Sequence, residues 1–376
     1  MNFLKSLLLV LILFIALILV GVGLLVTLVN PNQFKPLIIQ QVAQQTGYQL
    51  TIDGDLSWSF SPPVSIMANH MILTGPKPQA VKIVDMSDVK IGVQLWPVWE
   101  VGKHLQGNLT IANLTFMQLH VSNVNVNIDW RDQHLSLKPL TAELYQGRLQ
   151  GEVHLFSPAT APTWHWQLAL NDLQVAPLLH DLNGPQSKLE ISGIGEVVID
   201  AKTSGLAKAD ILAHLNGDGS FRLRNGVLSG INVEYLVAAA NAFLQKQAMP
   251  ATPAQNQTDF GDLSGSYTIH DGIVTTNNFL IDSSGVATHG KGTLDLNNQA
   301  INFNLQLTSK HTRNLAAIPV VVKGTMSSPS AHLDLDALSR ELTASELQKV
   351  KEKVRKQIQE HIHGKAGQFL QNLLGH

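Results

Sequence analysis

The sequence predicts a mostly β protein carried on an N-terminal transmembrane helix, with its strands in an elongated antiparallel sheet, few short helices and an amphipathic helix at the C-terminus. Three observations carry this. Ile301, Phe303, Leu305 and Leu307 alternate with Asn302, Asn304 and Gln306, and strand side chains point to opposite faces with a period of two, so this run has one apolar and one polar face. Turn residues at His270-Asp271-Gly272, Asp282-Ser283-Ser284-Gly285 and Asn297-Asn298 divide residues 262–307 into the short strands of an antiparallel meander. Residues 7–29 form an uncharged apolar run; at ~1.5 Å per residue it covers about 35 Å, enough to cross the hydrocarbon core with some tilt.

From the N-terminus, that run is read as a membrane anchor rather than a cleaved signal peptide. It exceeds the usual apolar core of a signal, and Val26-Thr27-Leu28-Val29 offers no small-residue cleavage site. Lys5 precedes it and the next cation is Lys35, which places the N-terminus in the cytoplasm. Pro31 to Gln45 carries Phe34, Leu37, Ile38 and Val42 at helical spacing, with Gly47 positioned to end the helix. Ile52, Asp53-Gly54, Leu56, Trp58 and Phe60 then predict a hairpin about an Asp-Gly turn.

Between Val64 and Ala201 alternation recurs without convincing helices. Val124, Val126, Ile128 and Trp130 form one apolar stripe, and Trp164, Trp166, Leu168 and Leu170 another. Half-apolar strands in series need a cover for their apolar face. A curled, trough-like sheet with an apolar interior groove meets that requirement, and so does a closed β-sandwich. Asn232 is placed to cap a helix through Tyr235, Leu236, Ala239 and Phe243, followed by a Pro-, Ala- and Gln-rich linker over residues 245–258. In the tail, Thr343-Ala344-Ser345-Glu346 fits a capping box before the stripe Leu347, Val350, Val354 and Ile358, which is ringed by Lys and Arg. Such a helix docks on a sheet end, or on a membrane or partner.

Several function classes are excluded or unsupported. With 26 Lys and Arg against 28 Asp and Glu, net charge −2, there is no basic field for nucleic acid. The absence of cysteine excludes thiol catalysis, disulfides and Cys-ligated zinc. Ser87-Asp88-Val89-Lys90 lies in an alternating run rather than at a helix start and lacks the companion motifs of a serine acyl-enzyme site. His361 and His363 lack a third ligand, and Gly217-Asp218-Gly219 and Gly290-Lys291-Gly292 do not continue into phosphate loops. Neither an enzyme, a cofactor nor a metal is expected.

Two blocks resemble the AsmA family. Gly47 to Pro62, with Gly54-Asp55-Leu56-Ser57-Trp58-Ser59-Phe60-Ser61-Pro62, is similar to the strand pair that follows the membrane helix in that family. Gly219 to Asn232, Thr258-Asp259-Phe260, Gly290-Lys291-Gly292-Thr293-Leu294-Asp295-Leu296, and Ile318-Pro319-Val320-Val321-Val322-Lys323-Gly324-Thr325 resemble its C-terminal series. The expected organisation is therefore an anchor over residues 1–30, β regions over 31–215 and 216–336, and a helical tail over 337–376. The resemblance implies a Gram-negative inner-membrane protein with its bulk in the periplasm, kin to bridge-like lipid-transfer proteins and supporting outer-membrane assembly. Its expected partner is phospholipid, whose acyl chains would lie in a groove lined by Val124, Val126, Ile128, Trp130, Trp164, Trp166, Leu168, Ile301, Phe303, Leu305 and Leu307. The alternative is a non-transporting anchored scaffold, with a dry sandwich core, that binds envelope or outer-membrane assembly proteins.

Overall fold

The computed structural model describes residues 30–337, apart from 47, 61–63, 76–80, 95–103, 117, 157–160, 184–189, 206–207, 245–246, 312–316 and 335–336. The predicted anchor at 7–29 and the tail helix at 343–358 lie outside the described residues. Among the described residues no helix is long and apolar enough to cross a membrane. The chain divides into two units, residues 1–130 and 131–376.

In the first unit a 3-10 turn, Pro31–Phe34, leads into helix α1, Lys35–Thr46. Six strands follow among the described residues: β1 (Gln49–Asp53), β2 (Ser57–Ser59), β3 (Ser65–Thr74), β4 (Lys82–Gln94), β5 (His104–Phe116) and β6 (Leu119–Arg131). The expected hairpin at Asp53-Gly54 is not formed. β1 pairs with the far half of β3, Asp53 opposite His70, and β2 with its near half, Ser57 opposite Met67, so the two are collinear pieces of one broken strand. Gly54, at φ +72°, makes the kink. Leu56 is buried beyond it, and the Asn32 side chain serves as its strand partner: Leu56 N donates to Asn32 Oδ1 at 2.8 Å, and Asn32 Nδ2 donates to Leu56 O at 3.2 Å. Pairing the backbone this way keeps Leu50, Ile52 and Leu56 all in the core.

The second unit is a sequential antiparallel series: β7 (His134–Leu144), β8 (Gly147–Phe156), β9 (Thr163–Gln174), β10 (Glu190–Ile191), β11 (Ile194–Ser204), β12 (Asn216–Ser229), β13 (Gln257–His270), β14 (Ile273–Ser283), β15 (Val286–Asp295), β16 (Ala300–Ser309), β17 (Ile318–Thr325) and β18 (Ser328–Leu333). Each strand pairs with the next, except that β10 and β11 both lie on β12, a second broken strand, and β11 also pairs with β9. Three helices sit in the connections: α2 (Val175–Asn183), α3 (Lys208–Ala213) and α4 (Val233–Leu244). Helix α2 corrects the expectation of no helix before Ala201. Val175, Leu178, Leu179 and Leu182 keep helical spacing, and Pro177 fits the first turn.

Four strands contain an Asp or Asn in the left-handed region: Asp88 in β4, Asn123 in β6, Asp172 in β9 and Asn225 in β12, with φ of 52°, 50°, 57° and 51°. Asx residues tolerate this conformation, and one such residue shifts the side-chain phase of a strand. Thus β6 places Val121 and then Val124 on one face, and β9 does the same with Leu170 and Leu173. The register between β9 and β11 slips where Gly195 faces Leu173 and Val197 faces Leu170. The apolar face survives each flip.

Candidate functional site

The cross-strand registers of the second unit assemble one continuous apolar face. Leu155 lies opposite Trp164, Trp166 opposite Ala201, and Leu168 opposite both Gly151 and Ile199. The face continues through Leu223 opposite Leu263, Gly292 opposite Phe303, Leu305 opposite Val320, and Val322 opposite Ala331. It crosses eleven strands, β7 to β9 and β11 to β18.

The middle of this face is a row of aromatic rings laid over glycines. Phe221 stacks on Tyr267 at 6.3 Å and approaches Phe279 at 6.3 Å, and Phe279 meets Phe303 edge-on at 5.5 Å. The rings come from β12, β13, β14 and β16, so each must reach across a neighbouring strand. Glycine provides the room. A Cβ on Gly292 would stand 2.4 Å from Phe303 Cγ, and one on Gly290 2.4 Å from Leu305 Cδ2. Tyr267 passes over Gly219 to donate its hydroxyl to Val198 O at 3.0 Å. Burial, with Asp218 nearby, pushes that phenol's pKa up, so it stays a neutral donor. Of the spaced glycines that look like fragments of phosphate loops, Gly219 and Gly292 are clearances for rings, while Gly217 lies against Ala201 and Gly290 against Leu305.

One end of the face is sealed. Helix α4, capped by Asn232, whose Oδ1 accepts from Tyr235 N at 2.8 Å, packs Val233, Leu236, Val237 and Ala240 onto Val286, Leu307, Ile318, Val320, Val322, Ala331 and Leu333. Thr258 anchors the approach, accepting from Val233 N and donating to Ile231 O. The sequence stripe Tyr235, Leu236, Ala239 and Phe243 understated this helix, because Val233, Val237, Ala240 and Ala242 are buried as well.

The predicted groove residues therefore divide. Trp164, Trp166, Leu168, Ile301, Phe303 and Leu305 are half-buried on this face, the last three packing against the edge of the core beneath α4. Leu307, at 1 % exposure, is core beneath α4 and is corrected from groove wall to packing residue. The β9 and β16 sets share the face without touching: six strand spacings of ~4.8 Å separate them by about 29 Å. Val124, Val126, Ile128 and Trp130 belong to β6 in the first unit, where the two valines are buried and Trp130 is exposed. Phe221, Tyr267 and Phe279 were not among the expected groove residues, and the signal was present: Phe221 falls opposite Gly265 as Phe303 falls opposite Gly292.

The opposite face is polar and ion-paired across strands. Arg222 meets Asp262 at 2.5 Å, Arg224 meets Glu196 at 2.7 Å, and His165 Nε2 meets Asp200 at 2.7 Å. Hydrogen bonds from Gln167 and then His165 hold the Asp200 carboxyl below its ordinary pKa. Among the described residues no group of three or more His, Asp or Glu is arranged to hold a metal ion. Ser87, Asp88 and Lys90 lie in β4, where Asp88 takes the left-handed conformation and Ser87 Oγ accepts from Asn113 at 3.2 Å.

Comparison with known proteins bears on this architecture. Over 97 residues the chain is 36% identical to Protein AsmA of Escherichia coli (strain K12), a stretch that is 26% of this chain and 15% of that protein. The motifs at Gly290–Leu296 and Ile318–Thr325 lie beyond the residues matched by the AsmA family's sequence model. That model matches residues 1–104 and 94–279, well over half of the 376 residues, and the chain belongs to the AsmA family.

Proposed function

We propose that this protein is a single-pass inner-membrane protein, N-terminus in the cytoplasm and bulk in the periplasm, that holds phospholipid acyl chains on the apolar face and supports phospholipid movement and outer-membrane assembly. The observation that carries the reading is the apolar face that crosses eleven strands, with a half-buried aromatic row at its middle and α4 closing one end. Contiguous apolar surface beyond a few hundred Å² marks a binding surface in soluble proteins. An acyl chain on such a face removes it from water at roughly 25 cal/mol per Å². Movement along it exchanges one apolar contact for a similar one, so the role needs no bond chemistry and the protein acts without catalysis. Family membership supports a place in the envelope.

Native mass spectrometry of the full chain purified in mild detergent tests this. Co-purifying phospholipid is expected. A lipid-free chain, or one carrying an envelope protein in place of lipid, contradicts the proposal.

A further inference from the structure

Helix α1, with the 3-10 turn that leads into it, carries an apolar corner that no described residue of the first unit covers. Phe34, Leu37 and Ile38 are 43%, 59% and 37% exposed, and their i, i+3, i+4 spacing puts them on one side of the helix. The other side is in use. Ile39 and Val42 are half-buried, and Pro31 is buried at the entry. Rotation to hide the exposed corner is blocked by two tethers. Asn32 is bonded in both directions to the Leu56 backbone, and Lys35 Nζ donates to Gly54 O at 2.9 Å.

The chain itself indicates what covers this corner. Phe34 stands five residues after Val29, where the apolar run 7–29 ends, so an anchored chain holds the corner within one or two helical turns of the bilayer surface. We propose that α1 is an interfacial helix whose Phe34, Leu37 and Ile38 insert at the headgroup and acyl boundary, docking the first unit on the membrane. The inference rests on the anchor reading above. Insertion is apolar rather than electrostatic, since Lys35 is committed to Gly54 O and the adjacent turn carries Asp53 and Asp55. Neutral lipid therefore suffices, unlike the basic helices that need anionic headgroups. The seat also places β1, and with it the first paired strands, at the bilayer surface.

The absence of cysteine makes the test direct. The full chain is reconstituted into phosphatidylcholine vesicles with one environment-sensitive dye at a time, on Leu17→Cys, Phe34→Cys, Leu37→Cys, Ile38→Cys or Ala43→Cys, the last being exposed on the far side of α1. Dyes at 34, 37 and 38 should be quenched by spin-labelled lipid and several-fold less accessible to an aqueous quencher than the dye at 43. Adding phosphatidylglycerol should change neither result. A lipid-quenched dye at 17 with water-accessible dyes at 34, 37 and 38 overturns the docking proposal and leaves the anchor standing. A dye at 17 that lipid does not quench overturns both. Shielding at 34, 37 and 38 without lipid quenching means that protein covers the corner, and quenching confined to phosphatidylglycerol vesicles means that charge drives it; either overturns the proposal.

Discussion

The helix-covered end of β13–β18 and the aromatic row across β12–β16 are made of the same alternating strands, yet one is a core and the other a surface. The difference is α4. Where it lies, Leu307, Ile318 and Val286 are sealed. A few residues along the same strands Phe303 and Phe279 pack on each other and remain half-buried. Alternation alone specifies an apolar face, and what covers it decides whether that face stores stability or stays available to a ligand.

The largest expected effect separates the two regions. Leu307→Asp buries an unpaired charge beneath α4 and should cost about 3–5 kcal/mol, a large part of a domain's stability. Leu168→Asp places its charge where water can reach it and should cost about 1 kcal/mol while lowering bound lipid. Thermal unfolding and lipid content of both variants check this, and equal destabilisation would erase the distinction. Next, Gly292→Val drives a side chain into Phe303 and should cost about 1–3 kcal/mol by overpacking the ring row. Gly261→Ala, whose Cβ would meet nothing nearer than 3.8 Å, should be close to neutral in the same denaturation series.

A smaller change probes the sealed end. Thr288 is fully buried there with no hydrogen-bond partner for Oγ1. Removing a buried hydroxyl without a partner by the similarly shaped Thr288→Val should raise stability by about 1 kcal/mol, and a loss in chemical denaturation would show that the hydroxyl is satisfied. The smallest effect contrasts this apolar lid with an exposed polar clamp in the first unit. His70 bonds Asp53 through Nδ1 and Asp85 through Nε2, each at 2.7 Å. Only the imidazolium donates through both nitrogens, so Asp53 first and Asp85 second raise its pKa above the ordinary ~6.5. The clamp is then complete below about pH 6.5 and weakens as pH rises through the raised value. Amide exchange of Gln49–Asp53, corrected for intrinsic rates, should lose protection over that range; constant protection would show that the clamp does not hold β1.

Much of this architecture is legible in the chain, and the exceptions have physical causes. The meander from Leu263 to Leu307 was readable because both its alternation and its turns are local. The broken strand at Gly54 was not, since an Asp-Gly pair fits a hairpin equally well and the partner that decides the matter, Asn32, is remote in sequence. The phase flips have a local signature that plain alternation hides: Met86-Ser87-Asp88-Val89, Val121-Ser122-Asn123-Val124 and Leu170-Asn171-Asp172-Leu173 each set an Asx before the apolar residue that resumes the face. Leu307 was misplaced because its own strand repeats perfectly, and only the tertiary burial beneath α4, complete at Leu307 and partial at Leu305, distinguishes the two.

Photo-crosslinking in intact membranes tests the central claim most directly, with a crosslinking residue at Leu168 or Phe303 on the open face, at Leu307 beneath α4, and at Asn304 on the polar face. The account predicts phospholipid adducts at 168 and 303 and little or none at 307 and 304. Adducts to protein alone at 168 and 303, or lipid captured equally on both faces, would contradict it.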